Sequence, residues 1–77
     1  MTKEEIGRKI SALALELTGA ELSEKEPLAE CGLDSLSLVT LIAGIEEEFG
    51  FWFDDDDLQP DRLATLRDLT ELTEKYI

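Results

Sequence analysis

Histidine is absent from the 77 residues, and cysteine occurs once. Without histidine the chain has neither the commonest general base nor the commonest metal ligand. The lone Cys31 cannot close an internal disulfide, so the fold needs no oxidising compartment. Cations are scarce: 7 Lys and Arg face 19 Asp and Glu, for a formal net charge of −12. That balance excludes a typical nucleic-acid binder, whose affinity comes from cations on phosphate. It also argues against an anionic membrane surface, and points to partners with basic surfaces. No apolar run approaches the roughly 18 residues of a membrane span. The opening MTKEEIGRK is followed by no apolar core of a signal peptide, so a cytoplasmic location is expected.

What is present is enough for one small folded unit. At 43% hydrophobic, 77 residues make a single domain, 1–77, rather than a disordered chain. A chain this short buries only about 60–65% of its unfolded surface, so the core is small. The charge is uneven. Residues 1–38 hold 8 acids and 4 bases, net −4, whereas residues 39–77 hold 11 acids and 3 bases, net −8.

Periodicity predicts three main helices. Thr2 with Glu5 has the form of a capping box, and Ile6, Ile10, Leu13 and Leu17 share a helical face, with Gly19 as a left-handed stop. These predict a helix over 3–18. Asp34 is a good N-cap for a second helix over 35–49, with Leu38, Leu41, Ile42, Ile45 and Phe49 as its core stripe and Gly50 as its stop. Glu46, Glu47 and Glu48 close that helix against its dipole, where stability alone would favour cations. Thr65 and Asp68 form the start pattern of a last helix, with Leu66, Leu69, Leu72 and Tyr76 on its apolar face. Leu58 and Leu63 bracket Pro60 and suggest a short helical turn at 55–63. Phe51-Trp52-Phe53 is the only strand-like run, too short for a sheet; alternation would send Phe51 and Phe53 one way and Trp52 the other. The fold class expected is all-α: three main helices plus one short helix. The 15 residues from 19 to 33 make a long connection, expected to be functional and pinned by its own apolar side chains, Leu22, Leu28, Cys31 and Leu33.

Chemistry concentrates at Ser35. A serine at a helix start has an exposed hydroxyl beside unsatisfied backbone N–H groups, a place suited to phosphate. A nucleophilic serine needs a base, and there is no histidine to supply one. Ser35 is therefore either a structural helix-start residue or a site that another enzyme modifies.

Gly32-Leu33-Asp34-Ser35-Leu36 opens an amphipathic helix that ends Glu46-Glu47-Glu48-Phe49-Gly50, in a short acidic helical chain. Together with the first-helix spacing, the long connection and the final L-x-x-L-x-x-L, this resembles the acyl carrier protein family over nearly the whole chain. The resemblance implies a four-helix bundle with no catalysis of its own. It implies that Ser35 takes 4′-phosphopantetheine from coenzyme A through a Mg²⁺-dependent phosphopantetheinyl transferase, and that the arm's thiol carries cargo as a thioester. Asp34 matches the family residue that supports the transferase step. Leu36, Thr40, Ala43, Glu46 and Glu47 recur at helical spacing opposite the core stripe; in the family this face docks basic patches on synthases and transferases. Fatty-acid carriers usually carry acids just after the serine, where Ser37 and Thr40 stand here, so a discrete carrier in a specialised pathway is expected. The loading enzyme would be an acyltransferase or an adenylating ligase, and the chain a monomer. The alternative is a non-carrier helical interaction module in which Ser35 stays unmodified.

Three other features invite chemistry. Asp54–Asp57 fails as an EF-hand, since position six from Asp54 is Gln59 and position twelve is Thr65 rather than Gly and Glu; a solvated helix start is expected, and no metal site. Cys31 reads as a small buried apolar residue rather than a cargo thiol. Trp52 reads as an ordinary partly buried aromatic, with partner contact as the second reading.

Overall fold

A computed structural model describes residues 1–59 and 63–77. Three α-helices, α1 (Lys3–Thr18), α2 (Ser35–Phe49) and α3 (Leu66–Tyr76), are joined by connections that, among the described residues, hold the 3₁₀ turns Leu28–Cys31 and Asp55–Asp57. The expected all-α class and the limits of α1 and α2 are those observed. The short fourth element is the single turn Asp55–Asp57; residues 60–62 of the expected 55–63 turn lie outside the described residues.

Local chemistry accounts for the helix ends. The Thr2 hydroxyl accepts from the Glu5 N–H at 3.2 Å and donates to Glu5 Oε1 at 3.3 Å, so the Glu5 carboxylate meets the hydroxyl rather than the Thr2 N–H that a full capping box requires. The Thr65/Asp68 box does close: Thr65 Oγ1 accepts from Asp68 N–H, and Asp68 Oδ2 accepts from Thr65 N–H at 3.1 Å. Gly50 ends α2 at φ +77°, a left-handed conformation that a residue with a Cβ adopts only under strain.

Helix α1 is the central element, packing against both α2 and α3. Its buried face is Ile6, Ile10 and Ala14, which meets Leu41 and Ile45 of α2 and Leu66, Leu69 and Leu72 of α3. Each such Leu or Ile is worth about 1.5–3 kcal/mol of transfer free energy. The stripe expected from Ile6, Ile10, Leu13 and Leu17 is thus corrected. A helix between two neighbours centres its inner face on the 6–10–14 row; Leu13 is half-buried and Leu17 exposed. Leu17 still covers α2, because a Cβ at Gly44 would lie 2.5 Å from Leu17 Cδ1.

The long connection from 19 to 33 is pinned as expected. Leu28 and Leu33 are buried, and Leu28 N–H donates to Ala64 O at 2.8 Å, beside an isolated bridge between Pro27 and Thr65. Its 3₁₀ turn has no signature in the hydrophobic pattern because a four-residue turn leaves no repeat. Cys31 is half-buried rather than buried, since Leu28 and Leu33 take the inward positions.

After α2 the aromatic run alternates. Phe53 is buried and Phe51 half-buried, whereas Trp52 is 83% exposed, against the expected partial burial. Phe51 stacks on Tyr76 with ring centroids 5.1 Å apart. Tyr76 Oη donates to Asp57 and accepts from Asp54 N–H at 3.0 Å, which fastens the end of α3 to the acidic turn. With Phe51 and Phe53 both committed to this cluster, the pleat leaves Trp52 outside.

Candidate functional site

Asp34 and Ser35 stand where the long connection enters α2. Asp34 is the N-cap: its Oδ1 accepts from Ser37 N–H at 2.8 Å, and its carbonyl accepts from Leu38 N–H. The bonds from Ser37, with a smaller pull from the Leu36 N–H, hold the Asp34 carboxyl below the ordinary value of 3.8 against slight desolvation, so it is ionised at neutral pH. Ser35 is the first helical residue and is exposed, and its hydroxyl has no hydrogen-bond partner among the described residues. Because Asp34 does the capping, the Ser35 hydroxyl carries no structural task.

An open groove of about 370 Å³ adjoins this hydroxyl. Its walls are Pro27, Leu28 and Ala29 of the long connection, Leu33 and Leu38 flanking the helix start, and Leu63 and Ala64 before α3. The Leu28–Ala64 bond and the Pro27–Thr65 bridge hold two of these walls together. A free hydroxyl at the positive end of a 15-residue helix, beside an apolar trough, fits a phosphodiester with an extended arm.

The expected docking face is largely exposed. Leu36 is 78% accessible, and Thr40, Ala43 and Glu47 also face solvent. Glu46 departs from the expectation: it is half-buried, and its Oε2 accepts from Phe53 N–H at 2.8 Å. That carboxylate therefore orders the chain leaving α2 as well as contributing charge. Sequence reasoning missed Val39 on this surface and held partner contact only as the second reading of Trp52. Val39 is 63% exposed on the same surface, and the i+3 spacing from Leu36 and i+4 to Ala43 was the available signal. Trp52 stands at the far end of the face, signalled by the alternation of the aromatic run.

Among the described residues no group of His, Cys, Asp or Glu side chains is arranged to hold a metal ion, and no helix is long and apolar enough to cross a membrane. Within the aspartate run, Asp57 is engaged by Tyr76 and by Lys75 at 3.6 Å.

The family described as a phosphopantetheine attachment site matches residues 8–73. An acyl carrier protein from Thermotoga maritima is 35% identical over 80 aligned positions, covering 99% of this chain and 96% of its own. The solution structure of a holo acyl carrier protein from Nitrosomonas europaea is similar with a TM-score of 0.72 and 30% identity, covering 99% of this chain and 96% of that one. A chain in the crystal structure of Bradyrhizobium japonicum glycine:[carrier protein] ligase complexed with glycylated carrier protein matches with a TM-score of 0.76 and 25% identity, over 88% of this chain and 97% of that one. Since the family match runs through all three helices and the Thermotoga relative aligns nearly end to end, this chain belongs to the acyl carrier protein family, the carriers that bear 4′-phosphopantetheine.

Proposed function

We propose that Ser35 is the attachment point of the phosphopantetheine arm and that residues 1–77 act as one non-catalytic carrier domain in the cytoplasm. The observation that carries this reading is the exposed, uncommitted Ser35 hydroxyl at the head of α2, with Asp34 already serving as the cap. When bound, the arm supplies a thiol on which cargo is held as a thioester, activated for acyl transfer. The chain's own part is positional. Ser35 Oγ bonds to the phosphorus of coenzyme A that bears pantetheine; the pyrophosphate P–O bond breaks, 3′,5′-ADP leaves, and the hydroxyl proton passes to a base. That base belongs to the transferase, since Ser35 has no histidine to draw on. Asp34 offers an ionised carboxylate next to the reacting oxygen, suited to a magnesium ion brought by the transferase. Leu36, Val39, Thr40, Ala43 and Glu47 present the docking face, and the tethered arm makes cargo delivery nearly intramolecular.

The cargo is an acyl or aminoacyl unit, loaded by an acyltransferase or an adenylating ligase and passed to a partner with a basic docking patch. The likeness to a chain in a glycine ligase complex supports the aminoacyl case, as does the neutral start of the α2 face.

Intact mass after incubation with coenzyme A and a broad-specificity phosphopantetheinyl transferase tests the site. Wild type should gain one phosphopantetheine, Cys31→Ser should gain the same, and Ser35→Ala should gain nothing while keeping its helical circular dichroism. An adduct mapped to Cys31, or an unmodified wild type beside a modified control carrier, would overturn the assignment.

A further inference from the structure

The face of α2 ends in a recess that the attachment chemistry does not use. It has a volume of about 600 Å³ and is lined by Ala43, Glu46, Glu47, Gly50, Phe51 and Trp52. Twelve residues of helix separate Ser35 from Glu47, about 18 Å along the axis, so the recess is remote from the attachment point. Trp52 forms one wall and is the most exposed of the large apolar side chains, at 83%. Glu46 and Glu47 line the same recess. Among the described residues no cation pairs with Glu47, and the last turn of α2 holds no basic residue. Lys9, which pairs with the neighbouring Glu48 at 3.6 Å, belongs to α1. The negative end of the α2 dipole adds to the same potential.

We propose that this recess receives an arginine side chain from a partner enzyme, stacked on Trp52 and paired with Glu47. The inference rests on the proposed use of α2 as the docking face and names the group that its far end recognises. Charge complementarity selects a cation: an anion would meet two carboxylates and a helix C-terminus, and an aliphatic group would strip them of water without replacing the bonds. Geometry selects arginine over lysine. A planar guanidinium can lie on the indole face and direct N–H groups at a carboxylate together, whereas an ammonium is a compact point charge. The backing is rigid: Phe51 is stacked on Tyr76, and Glu46 Oε2 accepts from Phe53 N–H, so the residues on both sides of Trp52 are fixed. The near end of the face offers Leu36 and Val39 instead, so a partner would need an apolar contact by Ser35 and an arginine at the far end. That polarity sets the direction in which the partner lies along α2.

Trp52 is the only tryptophan, so its fluorescence reports on this site alone. The probes are acetylated hexa-arginine and hexa-lysine amides, titrated into the apo protein, with amide NMR shifts measured alongside. Hexa-arginine should shift the Trp52 emission saturably and bind about two- to fivefold more tightly than hexa-lysine. Trp52→Leu and Glu47→Gln should each weaken arginine binding by a similar factor, and Trp52→Phe should retain most of it. Equal binding to wild type and Trp52→Leu would overturn the proposal, as would shifts confined to Asp54–Asp57. So would sedimentation showing a dimer that needs Trp52, or an emission change of the same size caused by loading the arm alone. Phosphopantetheine loading of the same wild-type sample keeps the two readings apart: failure there counts against Ser35, whereas normal loading with no role for Trp52 counts against the recess alone.

Discussion

The two ends of α2 solve opposite electrostatic problems. At its start the backbone presents free N–H groups, one acid caps them, and the exposed side chains that follow are Ser35, Leu36, Val39 and Thr40, without formal charge. At its finish three consecutive glutamates stand where the carbonyls already make the potential negative, with no basic residue in the last turn. The first end is cheap for the fold, and its open donors suit an anion such as a phosphodiester. The second costs a few tenths of a kcal/mol per carboxylate. The fold tempers that cost in two places: Glu46 becomes the acceptor for Phe53 N–H, and Glu48 meets Lys9. Glu47 receives no such compensation among the described residues, and that is the observation behind the proposal of a partner cation there.

This contrast can be broken from either side. The largest effect is expected at the acidic end, with Glu46→Lys and Glu47→Lys together. The rate of phosphopantetheine loading should fall about tenfold at low ionic strength, and the gap should close as salt shortens the Debye length. The single changes should separate. Glu47→Lys should slow loading with the melting temperature kept, whereas Glu46→Lys should also lower the melting temperature because Phe53 N–H loses its acceptor. Rates independent of salt in the double variant would exclude this end from docking.

A smaller effect belongs to the cap. Asp34→Ala should lower the melting temperature by about 4–8 °C, whereas Asp34→Asn should keep it at neutral pH because asparagine caps as well. The two should part company in acid. The folded carboxyl titrates below 3.8, so its stabilisation is present above that value and is lost as pH falls through the folded pKa. Thermal melts from pH 6 down to pH 2 should start together and then show wild type falling below Asp34→Asn as the carboxyl protonates; parallel curves would mean that the cap is indifferent to charge.

The smallest effect is expected at Tyr76, which backs the acidic end without facing a partner. The hydrogen bond it donates to Asp57 raises its pKa above 10.0, partly offset by the N–H of Asp54. Neutral Tyr76 therefore stabilises the fold below pH 10 and ceases to do so as pH rises through the folded value. Tyr76→Phe should lower the melting temperature by about 2–4 °C at neutral pH and flatten the loss above pH 10. The stack on Phe51 should survive, so Trp52 fluorescence should hardly change.

Where a helix carries its own start and stop chemistry, its limits were legible. Thr2, Gly19, Asp34, Gly50 and Thr65 act within a turn of themselves, and α1 and α2 begin and end where those residues place them. The place of Ser35 at the head of α2 was legible for the same reason, since a helix start is a local feature. The connections were less so. The turn Leu28–Cys31 has no periodicity, and it is held by a backbone bond to Ala64, 36 residues away in sequence. Leu17 looked like core because spacing reports a helical face but not how many neighbours that face meets.

Sequence alone determined the helices, the acidic character and the serine at the head of α2, because caps, hydrophobic spacing and charge act over a few residues. Only the tertiary structure decided that Glu46 bonds to Phe53, that Tyr76 fastens the acidic turn, and that Trp52 remains in solvent beside Glu47. Those outcomes depend on which of several aromatic and acidic side chains reach a partner first once α1 has drawn α2 and α3 together. That competition is settled by packing in three dimensions and leaves no periodic trace along the chain.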